Sequence, residues 1–385
     1  MAINRNVYHL FKKSGLNVEL VVPETLQFPS GSRKAEEPAP GDPPIHYLPL
    51  KGENPRTYLF QGLLKLLNKK KPQIIVLDND PVSRLALVAG TWCKQNGAKL
   101  FCISCENLSL DIRSAIKRRG WKSLPAAIVK RLLLSKTKKV VDGIFTINHD
   151  GRKIFMNEGY RQVTRIPLGF DPAYFYVDEA ARNRVREELR LEKTVIAYFG
   201  RLTPEKGIHI LLKALERIKQ YNWHLMMDHF DAYATGYSKE IDRLIKQAGL
   251  EDRVVYINPS HEEIARYMNA ADIVVVPSVS TPHWKEQYGR VAAEAMACGR
   301  LVVASDSGTL PELLDGNGLL FREGDHIELS DLLAKLLDTS DSLWVPSGKQ
   351  IASYAREQLS IQRQNEVMLS IFNPLMEPDE SIDRR

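Results

Sequence analysis

The regular return of short apolar runs limits the folds open to this chain more than any other feature. In the first half they are Val18–Val22, Ile74–Leu77, Lys99–Ser104 and Gly143–Ile147. In the second half they are Val195–Gly200, His224–Met227, Val254–Ile257, Ile273–Pro277, Leu301–Ser305 and Gly318–Phe321. Most of the runs are rich in Val and Ile, and each is followed by a stretch with helical periodicity. Runs of that length, separated by helices, predict parallel strands covered on both faces. Two consecutive sets predict an α/β chain of two Rossmann-like, doubly wound domains facing a central cleft, with ligands at the carboxyl ends of the strands. At 385 residues the chain is long enough for two such cores.

Composition narrows the function classes. The chain is 44% hydrophobic and 26% charged, the balance of a globular protein. No window approaches the roughly 18 apolar residues of a spanning helix. Met1 to Lys13 lacks the apolar core of a signal peptide, so a cytoplasmic location is expected. Cys102 and Cys105 form a CxxC inside the apolar run Lys99-Leu-Phe-Cys-Ile-Ser-Cys, which reads as a strand. With no second ligand pair at zinc spacing, they read as small buried hydrophobes, and no metal is expected.

The net charge of +6 is unevenly placed. From Ile112 to Lys139 there are ten Lys or Arg and no acid, interleaved with Ile116, Trp121, Leu124, Ile128, Val129 and Leu132 to Leu134. A basic amphipathic stretch over 112–139 can lie on an anionic membrane or face an anionic acceptor. It also fits a solvated helix face. No recognition motif accompanies the charge, so a nucleic-acid partner is not expected.

Two segments carry chemistry. In Val195-Ile-Ala-Tyr-Phe-Gly-Arg-Leu-Thr-Pro-Glu-Lys-Gly a strand ends at Gly200, and Thr203 with Pro204 predicts the start of a helix. Arg201 then lies in the strand-to-helix turn and Lys206 in the first helical turn. Cations there are unfavourable beside the helix's positive end unless an anion binds between them, and a diphosphate fits. Two solvated surface cations are the alternative. The second segment runs from Trp284 to Ser305, with a buried helix over Val291–Cys298 stopped by Gly299. Glu286 precedes that helix and Glu294 lies inside it. A carboxylate among Ala, Met and Val costs stability unless partnered, and sugar or ribose hydroxyls are suitable donors. An arginine partner of purely structural importance is the other option. Gly289 permits close approach of backbone to a ligand.

Taken together, Glu286 and Glu294 with Gly289 between and Ala-Met-Ala-Cys-Gly after them resemble the paired-glutamate motif of retaining glycosyltransferases of the GT-B fold, family four (glycosyl transferases group 1). Gly200-Arg201 to Lys206-Gly207 is similar to that family's diphosphate turn. Asp272–Ser278, Ser305–Glu312 and Arg165–Asp171 resemble three further segments, so the likeness covers about residues 140 to 325. The resemblance implies an N-terminal acceptor-side domain over 1–168, a nucleotide-sugar domain over 169–360 and a C-terminal helix within 361–385 returning toward the N-domain, followed by a flexible tail. It implies that Arg201 and Lys206 neutralise the departing diphosphate and that Glu294 bonds the ribose. Glu286 would contact the transferred sugar, with Gly200 and the amides of Gln287, Tyr288 and Gly289 completing the donor site. It further implies a hexosyltransferase using a nucleotide sugar and no cofactor, in polysaccharide biosynthesis, with a sugar-containing or lipid-linked acceptor; the basic stretch 112–139 adds the expectation of peripheral contact with the inner face of the membrane.

The chain departs from the family where a first strand and glycine-rich turn are usual: Met1 to Phe11 already reads as the following helix. The Gly-x-Gly usual after the second strand of the C-domain is replaced by Met227-Asp-His-Phe-Asp. Acceptor-side candidates at strand ends are Asp78 to Asp80, Glu106, Asn107, Asn148 and His149, with Glu106 and His149 foremost. Ser30 to Pro44 and Asn373 to Arg385 are expected to be flexible. A nucleotide-sugar epimerase on the same fold, or a non-catalytic nucleotide-binding relative, remains an alternative.

Overall fold

The computed structural model describes residues 5–28, 31–52, 54–229, 236–338 and 345–376. The chain divides into two compact units, Met1–Gly169 with Ile361–Arg385, and Phe170–Ser360.

In the first unit the strands are β1 (Leu20–Pro23), β2 (Thr25–Phe28), β3 (Gly31–Lys34), β4 (Ile45–Leu48), β5 (Leu50–Lys51), β6 (Leu59–Phe60), β7 (Ile74–Leu77), β8 (Lys99–Ser104), β9 (Gly143–Thr146) and β10 (Val163–Arg165). Its main sheet is parallel, in the order β10-β9-β8-β7, while β1 and β4 form a separate parallel pair. Alternate residues of β8 and β9 feed two cores. Leu100, Cys102 and Ile144 pack beneath the helix Arg84–Asn96. Phe101 and Phe145 pack on the other side against Phe372 of the helix Ile361–Met376, at ring separations of 5.3 and 5.8 Å. Phe11, in the helix Asn6–Lys13, completes this second core.

Three expectations are corrected here. The stretch from Ser30 begins with β3, which pairs antiparallel with β2. Its later part is tied to Arg5, which donates to the carbonyls of Glu36 and Glu37 and to Asp42 at 2.8–3.0 Å, with His9 2.7 Å from Asp42. Burial works against ionised Asp42, yet the amide of Ala39 and the Arg5 and His9 side chains hold its carboxyl down to about 2. Residues 373–376 continue a helix that accommodates Pro374, and the rest of the expected tail lies outside the described residues. Cys102 is buried as expected, but Cys105 is exposed, because β8 ends at Ser104 and the chain turns outward.

The second unit holds six parallel strands: β11 (Thr194–Tyr198), β12 (Trp223–Asp228), β13 (Val254–Ile257), β14 (Ile273–Val276), β15 (Leu301–Ser305) and β16 (Leu319–Phe321). Their order is β13-β12-β11-β14-β15-β16. The order reverses between β11 and β14, which are paired at Ile196↔Ile273 and Ala197↔Val274. That switch point opens a crevice outside the carboxyl ends of the two strands, because their following connections leave to opposite sides. β14 is buried along its whole length, as an all-apolar central strand must be.

Candidate functional site

The connection after β11 and the one after β14 meet at the switch point. Gly207 takes φ +70°, and a Cβ there would lie 1.7 Å from the Pro277 carbonyl oxygen, so only glycine lets the turn close against the end of β14. Val279 N–H donates to the Glu205 carbonyl at 2.8 Å and fastens the two segments. The expected helix start at Thr203 is corrected. Pro204–Lys206 is a single 3-10 turn, Thr203 makes no side-chain cap, and the helix Ile208–Arg217 starts after Gly207. Lys206 therefore sits on a tight turn ahead of the helix. The buried Thr203 hydroxyl has no hydrogen-bond partner among the described residues.

Lys206 and Glu286 come together although eighty positions separate them: the ammonium is 2.6 Å from Glu286 Oε2. Ser278 Oγ donates to the same carboxylate oxygen at 2.7 Å. Glu286 is only 6% exposed, so its charge is compensated within the fold. The ammonium also lies 5.0 Å from the centre of the Trp284 ring, which favours a cation in that place. Gly308 supports Glu286 from behind. A Cβ at Gly308, whose φ is +55°, would fall 2.1 Å from the Glu286 carbonyl oxygen.

Gly289, at φ +82°, precedes the helix Arg290–Ala297, on which Glu294 is buried among Ala293, Ala295 and Met296. Burial pushes the Glu294 carboxyl up to about 8, with Arg290 opposing the shift. Tyr288 is buried and Gln287 exposed beside it. Gly200, Arg201 and Lys206 lie on one segment, and Glu286, Gln287, Tyr288, Gly289 and Glu294 on another, both at the carboxyl side of the sheet. Ser278 was missed in the sequence. Its signal was a polar residue directly after an unbroken apolar strand, which points into the ligand crevice of such sheets.

The first unit has its own polar cluster beyond β7 and β8. Glu106 Oε2 lies 3.4 Å from Lys130 and 3.7 Å from Arg56. Asp80 accepts a hydrogen bond from Ser104, and burial raises its carboxyl. His149 is exposed at the start of the helix His149–Asn157, and Asn148 caps that helix through Gly151 N–H at 2.6 Å. Asn148 thus has a local structural task. Among the described residues no group of three His, Cys, Asp or Glu could hold a metal ion, and no helix is long and apolar enough to cross a membrane.

Two α/β units with parallel sheets, the second doubly wound, are the parts of a GT-B fold, and solved GT-B glycosyltransferases share it. HepE of Anabaena, determined with UDP, is 21% identical, with 86% of each chain covered and a TM-score of 0.68. Sucrose-phosphate synthase from Thermosynechococcus elongatus is 20% identical over 96% of this chain and 92% of its own, with a TM-score of 0.69. WaaG, of lipopolysaccharide biosynthesis, is 14% identical over 95% and 94%, with a TM-score of 0.65. At the level of family, residues 179–358, within the second unit, match Glycosyl transferases group 1. The D-inositol 3-phosphate glycosyltransferase of Corynebacterium jeikeium is 32% identical over 62% of this chain and 59% of its own. That of Corynebacterium diphtheriae is 36% identical over 38% and 35%. The chain thus spans less than two thirds of the length of these curated relatives.

Proposed function

We propose that the chain is a retaining hexosyltransferase that takes a sugar from a nucleotide-diphosphate donor held by its second unit. The observation that carries this is the contact of Lys206 and of Ser278 with the same Glu286 carboxylate oxygen at the switch point. A cation suited to a phosphate touches a carboxylate suited to sugar hydroxyls, so the two groups meet where a glycosyl phosphate bond would lie. Arg201 and Lys206 would neutralise the diphosphate as it departs. Charge grows there in the transition state, so preorganised cations favour that state over the bound donor. Glu286 would orient the sugar, Glu294 would bond the ribose, and the amides from Gln287 to Gly289 would complete the donor pocket around Gly200. The unpartnered Thr203 hydroxyl offers the donor a further hydrogen bond. With two cations and a helix end on the phosphates, the reaction needs no metal.

The curated relatives are by name transferases to a phosphorylated polyol, and HepE was determined with UDP and with UDP-glucose. A uridine nucleotide and a sugar-containing or lipid-linked acceptor follow as our reading for this chain. Glu106, held by Arg56 and Lys130, is the first acceptor-side residue to probe, and His149 the second. The same reading places the protein in the cytoplasm at the inner face of the membrane.

A thermal-shift screen of UDP, GDP, ADP and their sugars tests the donor site. A ligand at about 100 times its dissociation constant stabilises the folded state by about 2.7 kcal/mol. A shift with one nucleotide, lost in Lys206→Ala and Glu294→Ala, is the expected result. No shift with any of them would end the transferase reading. Product anomeric configuration, read by NMR, decides retention against inversion.

A further inference from the structure

In the first unit the helices Ile112–Arg119 and Leu124–Thr137 carry the basic stretch, joined by a 3-10 turn at Trp121–Ser123. A solvated helix face beside the core would hide its apolar residues and expose its charges. The structure does the reverse for half of them. The helix Leu124–Thr137 buries Ala127, Leu134 and Thr137 on one side. On its opposite side Val129 is 63% exposed, Leu132 59% and Ile128 44%, and Trp121, in the 3-10 turn just before the helix, is 75% exposed. Ile128 and Leu132 are one turn apart, with Val129 beside them, so they form a stripe along the helix. The helix is therefore apolar on two faces and has a core for only one. Exposed apolar residues scattered singly need no explanation, whereas a stripe headed by a tryptophan marks a contact surface.

The charges around the stripe identify the partner. Arg113, Lys117, Arg119, Lys122, Lys136 and Lys139 are exposed and form no ion pair among the described residues. The inward cations of the same helix are used locally, Lys130 toward Glu106 and Arg131 on Glu158 at 2.6 Å. An apolar stripe rimmed by unpaired cations is complementary to a surface with an anionic face and a hydrocarbon interior. A second copy docking by the same patch would set these cations against themselves. An acidic protein would match the charge, but would not call for a tryptophan at the polar boundary of an apolar stripe, which suits a bilayer interface.

We propose that the helix Leu124–Thr137 lies in the headgroup layer of an anionic membrane. Trp121, Ile128, Val129 and Leu132 insert, and Arg113, Lys117, Arg119, Lys122 and Lys136 contact lipid phosphates. This deepens the membrane placement given above by naming its residues and lipid class. It does not involve Lys206 or Glu286, so it can fail while the donor assignment stands, and the reverse. Two weak contributions add here, as stable interfacial binding generally requires.

The test is flotation of the full chain with vesicles of phosphatidylcholine alone and of phosphatidylcholine with phosphatidylglycerol in equal parts. Wild type should float only with the anionic vesicles and be released by high salt. Lys117→Gln, Lys122→Gln and Lys136→Gln together should weaken partition on the order of a hundredfold. Ile128→Asp with Leu132→Asp should abolish it, with melting and nucleotide-induced shifts unchanged because the positions are exposed. Trp121 emission should move to shorter wavelength on anionic vesicles, identified by its loss in Trp121→Phe. Equal recovery with both vesicles, or recovery indifferent to the aspartates, would overturn the proposal. So would a lipid-free dimer abolished by the same aspartates, since the stripe would then be a protein interface.

Discussion

Replacing Glu294 by glutamine should make the protein more stable, and increasingly so as pH rises. In the folded chain burial holds this carboxyl up to about 8, against an ordinary 4.5. The folded state thus retains a proton that the unfolded chain gives up. The site costs nothing below pH 4.5, and stability is lost progressively as pH climbs toward 8. The interval between those two values is 3.5 units. At about 1.36 kcal/mol per unit the full cost approaches about 5 kcal/mol. Glutamine has nearly the same shape and no charge, so it escapes the cost. Working the linkage at single pH values gives the variant an advantage of about 1 kcal/mol near pH 5 and about 4 kcal/mol near pH 8. With roughly 2–4 °C per kcal/mol for a unit of this size, the melting temperatures should separate by roughly 6–12 °C more at the higher pH. Melting both proteins across that range, without nucleotide, measures the gap. A gap that does not change with pH would refute the reasoning, because it would mean Glu294 is ionised in the fold and held by a partner. The stabilised variant should bind the donor nucleotide at least about tenfold more weakly, as one acceptor oxygen toward the ribose is lost.

Lys206→Ala removes the ammonium paired with the buried Glu286 carboxylate, so it should destabilise by about 1–3 kcal/mol and slow transfer by about a hundredfold or more. Adding Glu286→Ala should restore much of the stability and none of the activity; denaturant melts and turnover of the double variant check both. Gly207→Ala should cost about 2 kcal/mol or more, since its Cβ meets the Pro277 carbonyl, whereas Gly316→Ala, at φ +78° with nothing within 4 Å, should cost about 1 kcal/mol. Equal losses would mean the turn is not packed on β14. In the folded chain iodoacetamide should modify Cys105 and leave Cys93, Cys102 and Cys298 untouched until unfolding, a difference that peptide mass mapping reads directly.

Most of the architecture of the second unit could be read from the chain. Val254–Ile257 and Leu301–Ser305 are strands at the very residues their apolar runs marked, and Arg290–Ala297 is the helix that Gly299 terminates. Such elements are legible because a strand buried on both faces has to be apolar throughout, and a glycine at positive φ ends a helix locally. The short hairpin of β2 and β3 was not legible, since β3, Gly-Ser-Arg-Lys, holds no apolar residue to mark a strand. The helix after β11 begins four residues later than Pro204 suggested, because Gly207 must turn away beneath Pro277.

For the site, the sequence determined which residue types stand at strand ends: the cations at 201 and 206, the carboxylates at 286 and 294, and the glycines that let backbone approach. These follow from periodicity and local turn chemistry. Only the tertiary structure decided that Lys206 and Glu286 touch, that Ser278 joins them, and that Glu294 is buried deeply enough to keep its proton. The same holds for the basic stretch, whose apolar residues could have faced either way. A repeat of 3.6 residues tells that a helix has faces, but which face meets the core depends on side chains from elsewhere in the chain. In the helix Leu124–Thr137 both faces are apolar, and the packing of the first unit left Ile128, Val129 and Leu132 outside.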